Sequence, residues 1–360
     1  MRDALLGIIS SDLDICTPLR PEAVLEACKA AGIKALPTGI KHGTVTVMIG
    51  ARHFEITTLR EDVETFGRHA RVAFTDDWEV DASRRDFTVN GLYMDATGAL
   101  YDYYDGFSDL ELGLVRFIGD ADTRIAEDYL RILRYFRFTA RLSLGLIDQA
   151  SLEACYGQKA NLLALSGERI TREILALLAV PDPLPALELM QQCDVWRDLF
   201  DRPAALVRLD NLLSQVPGGD PDPILRLAAL LCAEEHPLSQ ALTGLRLSSR
   251  QQNRLLALES YHGLLSGLNV KATLYKLGRA TFLDQFYLLW ADDPSHVDLA
   301  ELHTFAKTWD IPTFPVAGKD LLAQGQAPGP AIGARLADLE AYWIAHDFEP
   351  DKAHLLALEP

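Results

Sequence analysis

Nowhere does the chain carry an apolar run approaching the roughly 18 to 20 residues needed to span a bilayer, so a membrane-crossing helix is not expected. Its first residues show no basic segment followed by a signal-like apolar stretch, which argues against secretion. Cysteine is sparse: Cys16, Cys28, Cys155, Cys193 and Cys232 are odd in number, scattered, and never form a C-x-x-C pair. That pattern excludes a disulfide framework and structural zinc, and points to a reduced, cytoplasmic setting. Positive charge is also in deficit, with 34 Lys and Arg against 51 Asp and Glu, a net charge of −17. Broad nonspecific binding to nucleic acid is excluded, because phosphate neutralisation supplies that affinity. Repeats and low-complexity tracts are absent. His346-Asp347 lacks partner histidines at metal spacing, so the dipeptide reads as surface and a phosphohydrolase site is not expected.

What is present is a chain of 360 residues, 49% hydrophobic, long enough to bury a large core in two or three domains. Up to about Asp120, short β-branched runs alternate with Gly, Asp and Pro, and strands are expected at Leu13–Cys16, Thr44–Ile49, His53–Leu59, Phe87–Asp95 and Val115–Ile118. Pro21–Ala31 has helical spacing, whereas Arg60–Val80 reads as a long polar loop. Beyond Asp120, apolar residues recur at helical spacing through Ala126–Leu142, Glu168–Ala179, Pro185–Gln192, Leu225–Ala233 and Ile332–Ala345. Breakers at Pro181–Pro185 and Val216–Pro223 mark joints, while Phe314–Pro330 is a Gly/Pro-punctuated entry to the last helix. The pattern is α+β, a small mixed-sheet head followed by an all-α remainder.

Asp12 and Asp14 flank Leu13, so on an extended strand both carboxylates project from one face, about 7 Å apart along the chain. Such a pair can share divalent cations that polarise a phosphate and activate an attacking hydroxyl, and Mg²⁺ suits all-oxygen ligands. The Asp-x-Asp pattern is equally at home on a solvated strand end. Glu55, on the polar side of the alternating His53–Thr57 run, is placed either as a third ligand or as surface. Arg131, Arg134, Arg137 and Arg141, spaced by three, three and four residues, share one helical face as local basic surface or as a solvated stripe. Asp128 and Arg131 are three apart, so both can reach one planar ligand, with the alternative that Glu127-Asp128 merely complements a helix N-terminus. Cytosine and adenine each offer an exocyclic amine beside a ring acceptor, so a carboxylate and a guanidinium can pair with either, whereas guanine and uracil present the opposite order.

Arg2-Asp3-Ala4-Leu5-Leu6-Gly7 followed by Asp12-Leu13-Asp14 resembles the R-D-x-L-L-G and D-x-D motifs of class II tRNA nucleotidyltransferases, the CCA-adding enzymes, which group with bacterial poly(A) polymerases in the polymerase-β superfamily. The resemblance continues through Arg84-Arg85-Asp86-Phe87-Thr88-Val89-Asn90, Tyr101–Leu110, Glu127–Phe138, Ser166–Glu173, Gly318–Leu322 and Pro328–Gly333, spanning nearly the whole chain. It implies a nucleotidyltransferase head at 1–120, a nucleotide-selecting neck at 121–182, a helical body at 183–310 and a tRNA-binding tail at 311–360, elongated in form. It implies that Asp12 and Asp14 hold Mg²⁺ with Glu55 assisting. Arg2, Arg85, Asp128, Arg131, Arg134 and Arg137 would bind the nucleotide, and Asp86 would brace its loop. The partners implied are CTP, ATP and the 3′ end and acceptor/T arm of tRNA. In this family a loop like Arg60–Val80 helps switch the pocket from CTP to ATP, and both complete CCA-adding and A-adding enzymes keep it. Two departures stand out. Gly91 replaces the usual Ala, and Met1 stands where the Val of a Gly-Gly-x-Val strand is expected, so a longer reading frame is anticipated. Poly(A) addition, or a catalytically impaired tRNA-binding protein, are the alternative functions.

Overall fold

The computed structural model describes residues 1–8, 13–66, 69–142, 145–215, 222–232, 238–259, 261, 264, 269–295 and 299–359, with backbone alone over 63–66 and 69–71. The chain forms two compact units: Met1–Leu206 with Pro221–Pro223 and Ala241–Leu247, and Val207–Asp220 with Ile224–Gln240 and Ser248–Pro360.

The first unit begins with helix α1 (Arg2–Leu5) and a sheet of β1 (Asp14–Thr17), β2 (Lys34–Gly39), β3 (Thr44–Ile49) and β4 (Arg52–Thr58), ordered β1-β4-β3-β2. Strand β4 lies parallel to β1 and antiparallel to β3, which makes the sheet mixed. Helix α2 (Pro21–Ala30) opens on Pro21, whose missing N–H costs nothing in a first turn. Val24 and Cys28, one turn apart, pack on Val45, Val47 and Ile56. Because side chains alternate along a strand, Asp14, Cys16, Glu55 and Thr57 emerge on the opposite face.

Three segments depart from the sequence expectation. Arg60–Val80 is not a loop: β5 (Arg60–Phe66) and β6 (His69–Phe74) pair antiparallel, and α3 (Trp78–Ser83) follows, capped by the Asp77 side chain. Charged residues at Arg60, Glu61, Asp62 and Glu64 obscure the hairpin in sequence, yet a backbone ladder does not require apolar side chains. The strand expected at Phe87–Asp95 is replaced by a tight 3-10 turn at Thr88–Asn90 and a two-residue β7 (Tyr93–Met94), paired with β8 (Leu100–Tyr101). Here the Asp86 carboxylate accepts from the Phe87 N–H at 3.0 Å and from Asn90 Nδ2 at 2.8 Å, a local closure that competes with a ladder. Val115–Ile118 forms only the single bridge Phe87–Phe117.

Helices α4 (Gly106–Glu111), α5 (Ala121–Glu127), α6 (Leu130–Arg141), α7 (Gln149–Gln158), α8 (Gly167–Leu178), α9 (Leu184–Gln192) and α10 (Val195–Phe200) complete this unit. Helix α6 buries Leu130, Leu133, Phe136 and Ala140 and packs on α8 and α9, which turns its arginines to the remaining stripe. Phe87, Phe117, Tyr135 and Phe138 form one aromatic cluster with centroids 4.8 to 6.3 Å apart, pinning the 84–90 loop to α6. The same loop is braced from below by Gly106: a Cβ there would lie 2.2 Å from the Thr88 carbonyl oxygen, so only glycine fits. Asp102 accepts from the Gly106 and Phe107 N–H groups, and buried Asp109 accepts from the Thr88 hydroxyl at 2.5 Å.

The second unit is helical, from α11 (Leu206–Gln215) through α12 (Pro223–Leu231), α13 (Leu238–Ala241), α14 (Ser249–Leu258), α15 (Val270–Leu277), α16 (Arg279–Asp292) and α17 (Leu299–Thr308) to α18 (Gly318–Ala323), α19 (Pro330–Ala345) and α20 (Lys352–Ala357). Phe282 and Phe286 pack with Leu274, Leu299 and Ala306, while Leu339 and Trp343 pack with Val316, Leu321 and Leu355. Among the described residues no helix is long and apolar enough to cross a membrane.

Candidate active site

Parallel pairing sets Asp14 opposite Glu55, and such partners project from the same side of adjacent strands, about 4.8 Å apart. Both are exposed, and neither has a side-chain partner among the described residues. Asp12 lies outside the described residues. Among those that are described, no three His, Cys, Asp or Glu side chains gather as a metal cluster. Two exposed carboxylates on one face nevertheless form a donor set that suits a hard divalent cation.

Arg85 reaches the same face from the loop after α3. Its Nη2 lies 3.5 Å from Cys16 Sγ, two residues along β1 from Asp14, and 3.3 Å from Asp81 Oδ2, and its guanidinium stacks 5.1 Å above the Tyr93 ring. Burial would lower its pKa, but Tyr93, Cys16 and Asp81 outweigh that and raise it. Asp81, 1% exposed, is the hub: its Oδ1 accepts from Arg84 Nε at 2.9 Å and Nη2 at 2.8 Å, and its Oδ2 accepts from the Tyr93 hydroxyl at 2.6 Å. Burial alone would raise the Asp81 pKa, yet Arg84, Tyr93 and Arg85 hold it below the usual carboxylate range. Sequence reading missed Asp81, although its position three and four residues before Arg84 and Arg85 on a helical turn was a usable signal. Arg2, on α1, pairs with Asp3 and Asn90 and stacks on Phe138, while Arg141 pairs with the other Asp3 oxygen at 2.7 Å.

The neck residues are arranged differently from what spacing suggests. Sequence periodicity runs one helix through Asp128 and Arg131, whereas the structure breaks it at Asp128, which is extended at φ −157°. At the break the Asp128 carboxylate accepts from the Leu130 N–H at 3.2 Å, a local side-chain bond that competes with a continuous helix just ahead of α6. Asp128 is then held by Arg169 of α8 at 2.7 Å, while Arg131 pairs with Glu127 and donates to the Arg124 carbonyl at 2.6 Å. The Asp128 and Arg131 side chains are therefore not paired with each other, although the Arg131 N–H donates to the Asp128 carbonyl at 3.0 Å, and among the described residues each side chain keeps unused lone pairs or N–H donors. Arg134 is tied to buried Asp86, and Arg137 to buried Glu173 at 2.6 Å with Phe138 beneath it. Asp86 is thus the loop brace: burial would raise its pKa, but Arg134 and Asn90 hold it low.

Asp3, Asp81 and Glu127 are each shared by two arginines. Among the described residues each of these groups sets two guanidinium charges against one carboxylate, a local excess of positive charge in a chain of net charge −17.

The family profile described as poly A polymerase head domain matches residues 1–116. The chain is 34% identical over 372 residues to the human mitochondrial CCA tRNA nucleotidyltransferase 1, covering 99% of this chain and 84% of that protein. It is 29% identical to a CCA-adding enzyme of Levilactobacillus brevis, over 99% of this chain and 91% of the relative. In three dimensions it is similar to the Bacillus stearothermophilus CCA-adding enzyme crystallised with CTP, with a TM-score of 0.78, 25% identity, and coverage of 96% of this chain and 87% of that one. The match runs along the whole length of this chain, and the chain belongs to the CCA-adding tRNA nucleotidyltransferase family.

Proposed function

We propose that this protein builds or repairs the 3′-terminal CCA of tRNA, transferring CMP and AMP from CTP and ATP to the RNA 3′ hydroxyl with release of pyrophosphate. The observation that carries the reading is Asp14 beside Glu55 on one sheet face, with Arg85 reaching the same face at Cys16. The match to enzymes named for CCA addition supports it along the full chain.

Asp12, Asp14 and Glu55 would hold Mg²⁺, which when bound supplies Lewis-acid polarisation of the phosphate and lowers the pKa of an oxygen nucleophile. Arg85 and Arg2 would take phosphate charge, together with Arg134 and Arg137 of α6. Asp128 and Arg131 offer an acceptor and a donor that match the amine and ring acceptor of cytosine or adenine. Residues 1–120 then carry the chemistry, 121–182 choose the base, and the body at 183–310 leads to the tail at 311–360, which meets the acceptor/T arm. Cys16, Cys28, Cys155 and Cys193 form no disulfide among the described residues, in keeping with a reducing compartment and with action in the cytoplasm.

Incubation with Mg²⁺, tRNA ending at its discriminator base and labelled CTP or ATP tests this directly. Stepwise incorporation of C, C and A is expected. Addition of A alone to tRNA ending in CC would narrow the activity to A-adding, a long A tract would favour poly(A) synthesis, and no incorporation would overturn the reading.

A further inference from the structure

Arg131 is aimed entirely by residues of another helix. Its Nη1 donates to the Arg124 carbonyl at 2.6 Å and to the Glu127 carboxylate, both on α5. That carbonyl is open because the Asp128 N–H bonds to Ile125 instead, leaving one of the orphan acceptors of a helix C-terminus for a guanidinium to satisfy. The Arg124 side chain makes the next connection. Its Nη1 grips both Glu127 oxygens at 2.6 and 2.8 Å, and its Nη2 donates to the carbonyls of Arg84 and Arg85 at 2.5 and 2.7 Å. All of these groups are within the first compact unit. Arg124 is 12% exposed, and among the described residues its Nε has no partner and these four bonds orient the fork. Burial, followed by repulsion from Arg131, lowers its pKa, the cost of placing two guanidinium groups on one carboxylate.

We propose that Arg124 is a positioning residue for base selection, a strut that fixes Arg131 through Glu127 while anchoring the same assembly to the backbone of the loop that presents Arg85. The proposal rests on the nucleotidyl-transfer reading above. A guanidinium is required for this, since one of its terminal nitrogens bonds the carboxylate while the other bonds the two carbonyls. Lysine supplies three donors from one point and cannot span both.

The experiment measures kcat/KM for CTP and for UTP on tRNA ending at its discriminator base, for the whole chain and for Arg124→Lys, Arg124→Met and Glu127→Gln. With Arg124→Met, discrimination between CTP and UTP should fall by roughly tenfold, the scale of coupled neighbours. Glu127→Gln should produce a similar fall, the double variant no more than either alone, and Arg124→Lys an intermediate one. A merely structural role would lower thermal stability or overall rate and leave the CTP/UTP ratio where it was, which would overturn the proposal. Fully additive effects of Arg124→Met and Glu127→Gln would do so too. If Arg124→Met does not fold, Glu127→Gln keeps the side-chain shape and decides the question by the same ratio. A wild-type chain that incorporates no CTP overturns the functional reading itself, whereas incorporation with an unchanged ratio in the variants overturns only the role of Arg124.

Discussion

Acidic groups serve two different ends in this protein. Asp14 and Glu55 stand exposed and without partners among the described residues, whereas Asp81, Asp86 and Glu173 are buried, each holding at least one arginine. A solvated carboxylate contributes little to stability and remains open to a cation, while a buried, paired one is costly to disturb. On the proposed reading, this difference in burial separates the carboxylates of the chemistry from those of the architecture. Its consequence is that substitutions in the two sets should fail in opposite ways.

The largest effect is expected on the exposed set. Asp14→Ala should reduce nucleotide transfer by more than about 10³-fold while shifting unfolding free energy by no more than about 0.5 kcal/mol. Parallel transfer assays and denaturant titrations check this, and a stability loss matching the activity loss would erase the distinction. Asp86→Ala is the opposite case. Removing it strands Arg134 and Asn90, so unfolding free energy should drop by about 3 kcal/mol. A variant as stable as the wild type would show that Asp86 is no brace.

Effects on selectivity come next. Arg131→Ala should weaken discrimination among nucleotides by about 1–3 kcal/mol and change tRNA affinity less, as competition between CTP and UTP and a binding titration would reveal. The smallest effect concerns acid. Asp81 and Asp86 have folded pKa values below the usual 3.8, so they contribute stability that is fully present above about pH 4 and is lost as pH falls through their lower folded values. Asp81→Asn should flatten that acid limb, visible in denaturant midpoints measured between about pH 2 and 5. An unchanged slope would mean that Asp81 is not held low by its arginines.

Much of this was legible in the sequence, and the exceptions have physical causes. Alternation placed Glu55 on the polar strand face, and the structure sets it beside Asp14, a cross-strand neighbour that one strand alone cannot specify. Helical spacing found α2, α6, α8 and α19 closely because each buries an apolar stripe. The β5–β6 hairpin escaped notice because its ladder is made of backbone groups beneath charged side chains. The break at Asp128 escaped because apolar periodicity continues across it, while the extended Asp128 and its local bond to the Leu130 N–H interrupt the helix without changing that period. The partners Asp81, Glu127 and Glu173 were not recognised: Asp81 and Glu127 stand three and four residues from their arginines, a spacing that was there to read, whereas Glu173 meets Arg137 from another helix and leaves no period.

The contrast between exposed and buried acids is tested most directly by one paired measurement: incorporation of labelled CTP into tRNA ending at its discriminator base, with Mg²⁺, by the wild-type chain and by Asp14→Ala at equal folded fraction. The wild type should extend the tRNA, and the variant should not, while unfolding at an unchanged temperature. Extension by Asp14→Ala at the wild-type rate would contradict the assignment of chemistry to the exposed carboxylate face.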